Sequence, residues 1–474
     1  MEINTRAFKE NARKALENPE LQRSLQQIKR GFVGKRREAV ERLPEFEDLR
    51  AEAQEIKDQV LNNLDFYLER FETKVVESGG AVHWCRSPAE ARDAILGICR
   101  LVGARTVTKG KTMIGEEIEI NDFLEANSIE PVETDLGEYI IQLRREPPSH
   151  IIAPAIHVSR DQVEDAFRKH HTGLKPERAL DEPTELLAEA RRMLRERFLA
   201  ADVGITGANF LIAETGSTVI VTNEGNGDLT QTLPRVHIVL ASIEKVVPTL
   251  EDATTLLRVL ARSATGQEMS VYNTFSTGPR RDDDIDGPEQ FQVVLLDSGR
   301  SQLLGTDFQD ILRCIKCGAC LNHCPVYGAV GGHAYGWVYP GPLGKVLTPG
   351  LIGHKNARDL PNASTLCGRC EEVCPVRIPI PKMLRGLRER EFRRGMGGSR
   401  ERWALRVWGM IARRPKLYHL GTRIASRMMR KRAKHLGRID KFPFMDVWTE
   451  TRDLPVPEGP TFLSQWHGRR GKKR

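Results

Sequence analysis

At 474 residues the chain is long enough for two or three domains and an ordinary buried core. No stretch approaches the roughly 18 uninterrupted apolar residues of a membrane span, and nothing at the N-terminus reads as a secretory signal, so a cytoplasmic location is expected and a disulfide-stapled scaffold is not. The net charge of +8 hides an asymmetry: residues 376–474 hold 27 Lys+Arg against 8 Asp+Glu, a net +19, whereas the rest carries a net −11.

Residues 1–75 read as a helical segment. Val60, Leu61, Leu64, Phe66, Leu68 and Phe71 recur at helical spacing among charges, and Pro44 separates two helices. A packing or partner-docking role suits this arm better than a site.

Residues 76–298 read as an α/β domain. Short apolar runs at Ala81–Trp84, Thr106–Val107, Pro131–Glu133, Ile151–Pro154 and Val203–Thr206 alternate with helical patterns near Pro88–Val102 and Glu185–Leu199. Strands with tight turns follow at Asn209–Asn223, Pro234–Ala241 and Gln292–Leu296. The glycine-rich stretches Gly204–Gly207, Glu214–Thr218 and Thr222–Asp228 suit turns first, and a ligand-cradling pocket second. Neither a Walker loop nor G-x-G-x-x-G appears, so nucleotide binding has no motif. Lys109, Lys111 and Glu116 form a polar cluster that reads as a loop entering a helix, with Glu116 and Glu117 near its positive end. Cys85 and Cys99 sit in apolar surroundings and read as core thiols.

Residues 299–385 contain the most informative stretch, Cys314-Ile-Lys-Cys317-Gly-Ala-Cys320-Leu-Asn-His-Cys324-Pro325. Three cysteines two residues apart, a fourth after three more, then proline, is the run that holds a [4Fe–4S] cluster in bacterial ferredoxins. A second run, Cys367-Gly-Arg-Cys370-Glu-Glu-Val-Cys374-Pro375, follows. In two-cluster ferredoxins the fourth cysteine of each run crosses to the other cluster. On that pattern, the first cluster takes Cys314, Cys317, Cys320 and Cys374, and the second takes Cys324, Cys367 and Cys370. The second run lacks its first thiol and has Ser364 in that place. Ser364 Oγ, solvent, or another side chain such as His323, His333 or His354 could fill the corner, or the site could hold a [3Fe–4S] cluster. Paired C-x2-C units also suit zinc, but a four-cysteine run ending in proline is a poor match to four-coordinate zinc. Tyr327, Tyr335, Trp337 and Tyr339, between the runs, can pack over the clusters, and the same stretch can be a partner-facing loop.

Residues 386–474 read as a basic helical region. Between 401 and 440, twelve Lys+Arg and two Asp+Glu interleave with Trp403, Trp408, Leu420, Met428 and other apolar residues. Such a face docks on an acidic partner, lies on an anionic membrane, or is simply solvated. Nucleic acid is not expected, since no recognised module accompanies the charge. Gly468–Arg474 look disordered.

Several stretches together resemble the lactate utilization protein B family. They are Glu133-Thr-Asp-Leu-Gly-Glu-Tyr-Ile-Ile-Gln142, Pro148-Ser-His-Ile-Ile-Ala-Pro-Ala-Ile-His157, Asn273-Thr-Phe-Ser-Thr-Gly-Pro279 and Asp286-Gly-Pro-Glu-Gln290, with the run 314–325 and Ser364-Thr-Leu-Cys-Gly-Arg-Cys370. The resemblance implies a lactate-utilization α/β domain, similar in fold to the sugar-phosphate isomerase and CoA-transferase superfamily, joined to a two-cluster ferredoxin-type module. It implies two [4Fe–4S] clusters, with Ser364 a family feature. It also implies a cysteine-rich subunit and a second lactate-utilization-domain protein as partners in oxidising L-lactate to pyruvate. No catalytic residue and no electron acceptor follows from it. Two other readings stay open: service to another 2-hydroxy acid such as glycolate, and a non-redox, transferase-like enzyme with structural clusters.

Overall fold

Strands buried on both faces read as unbroken apolar runs, and Val236–Ser242 is the clearest here, with every residue buried. The computed structural model describes residues 3–396, 398–432, 437–439, 441 and 452–471. Ten strands form the α/β region: β1 Ala81–Cys85, β2 Thr106–Gly110, β3 Glu130–Glu133, β4 Val203–Thr206, β5 Phe210–Ile212, β6 Ser217–Thr222, β7 Val236–Ser242, β8 Val246–Val247, β9 Tyr272–Ser276 and β10 Gln290–Leu296. Six of them make a wholly parallel sheet in the order β1-β10-β7-β4-β2-β3. The other four make a small mixed sheet in the order β8-β5-β6-β9.

Alternation along the strands divides the core. Ile205, Ile238 and Leu240 pack with Ile95 and Cys99 of the helix Pro88–Leu101. Val239, Ala241 and Leu295 point the other way, against Phe71 and Val75 of the helix Leu64–Glu77. That helix crosses the sequence boundary at residue 75 and belongs to the sheet's layer. Cys85 and Cys99 are buried thiols, and burial pushes them up to about 11 and about 12.

The helices Phe8–Glu17, Pro19–Glu41 and Phe46–Asn62 pack on the cysteine module. Phe8 meets the Tyr335 ring edge-on at 5.3 Å, and Gln22 donates to the Ala329 carbonyl at 2.8 Å. Arg50 donates to the Cys374 carbonyl at 2.7 Å. The stretch between the cysteine runs is therefore interior: Tyr327, Tyr335, Trp337 and Tyr339 are all buried, which removes the partner-facing alternative for them.

Three readings of local structure are corrected. Ile151–Pro154 is no strand but an irregular loop, because Pro147, Pro148 and Pro154 have no N–H to give a ladder, and Ser149 N–H bonds back to the Pro154 carbonyl at 3.0 Å. Gly468–Gly471 lie in a helix, Phe462–Gly471, while residues 472–474 lie outside the described residues. The stretch Thr222–Asp228 also does not form a hairpin turn; it leads from β6 into the helix Asn226–Thr232.

The chain separates into two compact units, residues 1–390 and 391–474. The second contains the helices Ser399–Ala412 and Pro415–Arg432, which expose Trp403, Trp408, Leu420 and Met428 beside their arginines. Among the described residues, no helix is long and apolar enough to cross a membrane.

One buried ion cluster ties the sheet to the cysteine module. Arg300 is fully buried; its Nη2 lies 2.6 Å from Glu117 Oε2, and its Nε lies 3.1 Å from Glu244. Tyr339 donates to Glu117 at 2.6 Å. Despite their burial, both carboxyls lie below the usual range, chiefly because of Arg300, and Glu244 falls to about 2. The contribution of each depressed carboxyl is present above its unfolded pKa and is lost as pH falls through the folded value, toward about 2 for Glu244. Arg300→Ala should destabilise the protein by about 3–5 kcal/mol at neutral pH, because two buried carboxylates lose their partner. Denaturant midpoints should show that penalty shrinking in acid; a midpoint equal to wild type at pH 7 would refute it.

Candidate iron–sulfur centres

The two cysteine runs fold into similar loops. In the first, Lys316 and Gly318 take left-handed φ values of 59° and 73°, and the short helix Ala319–Asn322 follows. In the second, Leu366 and Gly368 take 54° and 84°, and Arg369–Glu372 follows. Glycine at 318 and 368 suits the left-handed position that opens each helical turn. Lys316 N–H points at Cys314 Sγ, 3.4 Å away, and Leu366 N–H donates to Ser364 Oγ at 3.2 Å. Ser364 thus stands in its loop where Cys314 stands in the other.

The runs exchange their last cysteines. Cys314, Cys317, Cys320 and Cys374 line one cavity, walled by Ile151 and Leu343. Cys324, Cys367 and Cys370 line a second, together with Ser364 and Lys345. His323, His333 and His354 line neither. His323 donates to the Ala319 carbonyl at 2.9 Å and His333 to the Pro147 carbonyl at 2.8 Å.

The chemistry of the donors fits a cationic inorganic core. Burial first, and the neighbouring cysteines second, push Cys317 and Cys320 well up. Burial pushes Cys374 to about 11, and burial with Cys324 pushes Cys370 to about 12. Sulfurs gathered so closely without positive charge resist ionisation, and iron supplies that charge. Backbone N–H groups also face the sulfurs: Tyr327 toward Cys324 at 3.5 Å and Ile378 toward Cys374 at 3.4 Å. Such donors favour the thiolate and tune a cluster's potential. Cys367 differs: it is exposed, and hydrogen bonds led by the Arg369 N–H lower it. The first cavity is interior and the second reaches the surface.

Lys345 went unremarked in the sequence. Its side chain is fully buried, and its Nζ lies 3.6 Å from Cys324 Sγ and 5.5 Å from the centre of the Tyr335 ring. The available signal was a lone cation inside the apolar stretch Gly341–Leu347. Nothing comparable marks Arg36 and Arg50, which reach the Val373, Glu372 and Cys374 carbonyls from the N-terminal helices.

A larger cleft adjoins the first cavity at the carboxyl ends of β2, β4 and β7, where open parallel sheets generally bind ligands. It occupies about 1080 Å³ including its solvent-filled mouth. Lys111, Gly207 and Asn209 line one side, and Lys316 and Cys317 line the other. Gly207 has to be glycine, since a Cβ there would sit 2.3 Å from the Lys111 carbonyl oxygen. The polar cluster read from sequence lies at this edge but does not act as one unit. Lys109 is buried between Glu133 at 2.6 Å and Glu116 at 3.0 Å, whereas Lys111 faces the cleft and pairs with Asp135. Burial and Asp135 push Glu138, also on the cleft, well above the usual carboxylate range.

Comparison with known proteins places this arrangement among relatives. The LUD domain family matches residues 68–296, the 4Fe-4S dicluster domain family matches 310–378, and the family described as Lactate utilisation protein B, C-terminal matches 376–472. A Lactate utilization protein B of Bacillus licheniformis is 42% identical over 476 residues, covering 100% of this chain and 99% of that protein. The protein of that name from Bacillus subtilis (strain 168) is 40% identical over 481 residues, covering 100% and 98%. A protein of Escherichia coli (strain K12) named "Uncharacterized electron transport protein YkgF" is 40% identical, covering 96% and 95%.

The exchange of cysteines has a spectroscopic consequence. Cys324→Ser and Cys374→Ser should each damage a different cluster, seen as loss of different electron paramagnetic resonance signals in anaerobically prepared protein. Loss of the same signal in both variants would rule out the crossed arrangement.

Proposed function

We propose, from the premise that the chain belongs to the lactate utilization protein B family, that it is the iron–sulfur electron-transfer subunit of a multi-protein system oxidising L-lactate to pyruvate. The observation that carries this is the pair of adjacent cysteine cavities, each built from both runs. Oxidation of a 2-hydroxy acid to a 2-oxo acid releases two electrons and two protons, and each bound cluster accepts one electron at a time. The protein's part is to hold the cysteines, keep water from the inner cavity and place cations near the sulfurs. Hydride chemistry belongs to another subunit on this reading, since no flavin or nicotinamide motif is present. The kinship of the α/β domain with the sugar-phosphate isomerase and CoA-transferase superfamily belongs to the same reading, supported by the resemblance and the parallel sheet.

The partners in this proposal are a cysteine-rich subunit and a second lactate-utilization-domain protein. The C-terminal helices, basic and studded with exposed tryptophans, are the docking element, in the cytoplasm or at the inner face of the cell membrane. The anaerobically prepared chain should hold about eight irons, as two four-iron cores require. A strain lacking the gene should fail to grow on L-lactate and grow normally on glycolate. A chain truncated after Arg390 should keep its iron yet no longer co-purify with its partners. Iron near zero with stoichiometric zinc, or loss of growth on glycolate alone, would overturn the assignment.

Ser364 completes the second centre in this proposal, because its loop position matches that of Cys314. Ser364→Ala should then leave one iron without a protein ligand and yield a three-iron signal after mild oxidation. Ser364→Cys should retain four irons with altered g-values. Iron content and spectra of Ser364→Ala identical to wild type would show that another donor holds that corner.

A further inference from the structure

The cleft at the sheet's carboxyl edge holds a cation that no carboxylate touches. Lys245 follows β7, lines the cleft and is 92% buried, at 8% relative exposure. Among the described residues, no hydrogen bond reaches its Nζ and no carboxylate lies within 4.0 Å of it. Its neighbours are already engaged. Lys111 pairs with Asp135, and Lys316 lies 4.0 Å from Glu244 and over the Tyr339 ring at 4.6 Å. Glu244 itself is held by Arg300 at 3.1 Å. The Lys245 ammonium opens onto the cleft at the end of an otherwise buried side chain, and an anion entering there meets a poorly hydrated positive charge.

The rest of the lining narrows the anion's class. Met113, Ile152, Val221 and Leu260 give apolar walls suited to a short carbon skeleton. Asn209 and Glu138 add polar groups, and Glu138 Oε2 is buried without a hydrogen-bond partner. One unpaired ammonium balances one negative charge. Neither a Walker loop nor G-x-G-x-x-G, the motifs that grip a phosphate dianion, is present in the sequence.

We propose that this cleft binds a small monocarboxylic acid, with its carboxylate on Lys245 and its carbon skeleton against the apolar walls, beside the loop that carries Cys317. The site goes beyond the electron-transfer role and does not depend on it: the cleft is formed by the α/β domain and the cysteine loop whatever the cysteines hold. A competing account, in which Lys245 only balances thiolate charge, predicts no ligand.

Equilibrium dialysis of the full-length, anaerobically prepared protein decides between them. Radiolabelled L-lactate should bind saturably, one per chain; unlabelled pyruvate and acetate should displace it, while neutral lactamide and inorganic phosphate should not. Lys245→Gln should weaken binding roughly 10–100-fold, the worth of one charge-assisted hydrogen bond, and Lys245→Arg should recover part of it. Iron content in the same samples should stay at wild-type levels, confirming that the variant folds. The proposal is overturned if wild type binds none of the three acids, if lactamide or phosphate competes equally, or if Lys245→Gln binds as wild type does. Iron-free protein that still binds the acids would count against the electron-transfer reading and leave the cleft assignment standing.

Discussion

Arg300 sits with no solvent exposure between Glu117, just beyond β2, and Glu244, just beyond β7. A buried guanidinium without partners would cost several kcal/mol, and so would each carboxylate. The three are therefore acceptable only together, and their meeting fixes where the chain leaving β10 must go. Arg300 lies 14 residues before Cys314, so this ion cluster delivers the first cysteine run to the carboxyl edge of the sheet. Tyr339 closes the same cluster from the far side of that run. The inner cavity and the cleft owe their shared wall to this one arrangement.

The second run is secured differently. Its backbone carbonyls at Glu372, Val373 and Cys374 take guanidinium donors from Arg36 and Arg50, on helices more than 320 residues earlier. Arg377 returns the contact by donating to the Glu47 carbonyl at 2.9 Å. Carbonyls leaving the short Arg369–Glu372 helix have no intrahelical partners, so charged donors there satisfy groups that would otherwise need water. The N-terminal arm is thus a clamp on the cysteine module; of the apolar stripe read from its sequence, Val60, Leu61, Leu64, Leu68 and Phe71 are buried, while Phe66 is exposed.

Local chemistry was legible in the sequence where it was written as spacing. The seven cysteines, the serine at 364 and the parallel strands from β1 to β4 all follow from short-range pattern, because a cluster loop and a buried strand each dictate nearly every residue they use. What escaped were contacts between distant segments. Lys345, Lys245 and Arg300 look like ordinary surface cations by composition, and only the fold shows them buried. Ile151–Pro154 shows the converse failure: its apolar residues mimic a strand, but they wall the inner cavity and the cleft, and the prolines around them forbid a ladder. The glycine-rich stretches were ambiguous for a physical reason, since a residue without Cβ serves a turn and a close backbone approach equally. At Gly207 the close approach decides.

Similar loops do not make similar sites. The first cavity has mostly aliphatic walls with Lys316 in its lining, and cations flank its sulfurs on two sides: Lys245 near Cys314, and Arg36 and Arg50 near Cys317 and Cys374. The second opens at Cys367 to solvent and has its own buried cation in Lys345. A negative charge added to the inner site would therefore be balanced partly from the cleft, by Lys245 and Lys316, and partly by Arg36 and Arg50, whereas one added to the outer site would be balanced by Lys345 and water. A carboxylate resting on Lys245 would cancel part of the positive field that favours reduction at the inner site and leave the outer one nearly untouched. Linkage would make the effect reciprocal: were a cluster bound at the inner site and reduced, it would loosen the carboxylate by the same free energy with which the carboxylate would oppose the electron. Coupling of this kind needs no contact between the bound acid and iron, only a shared lysine in a medium of low dielectric.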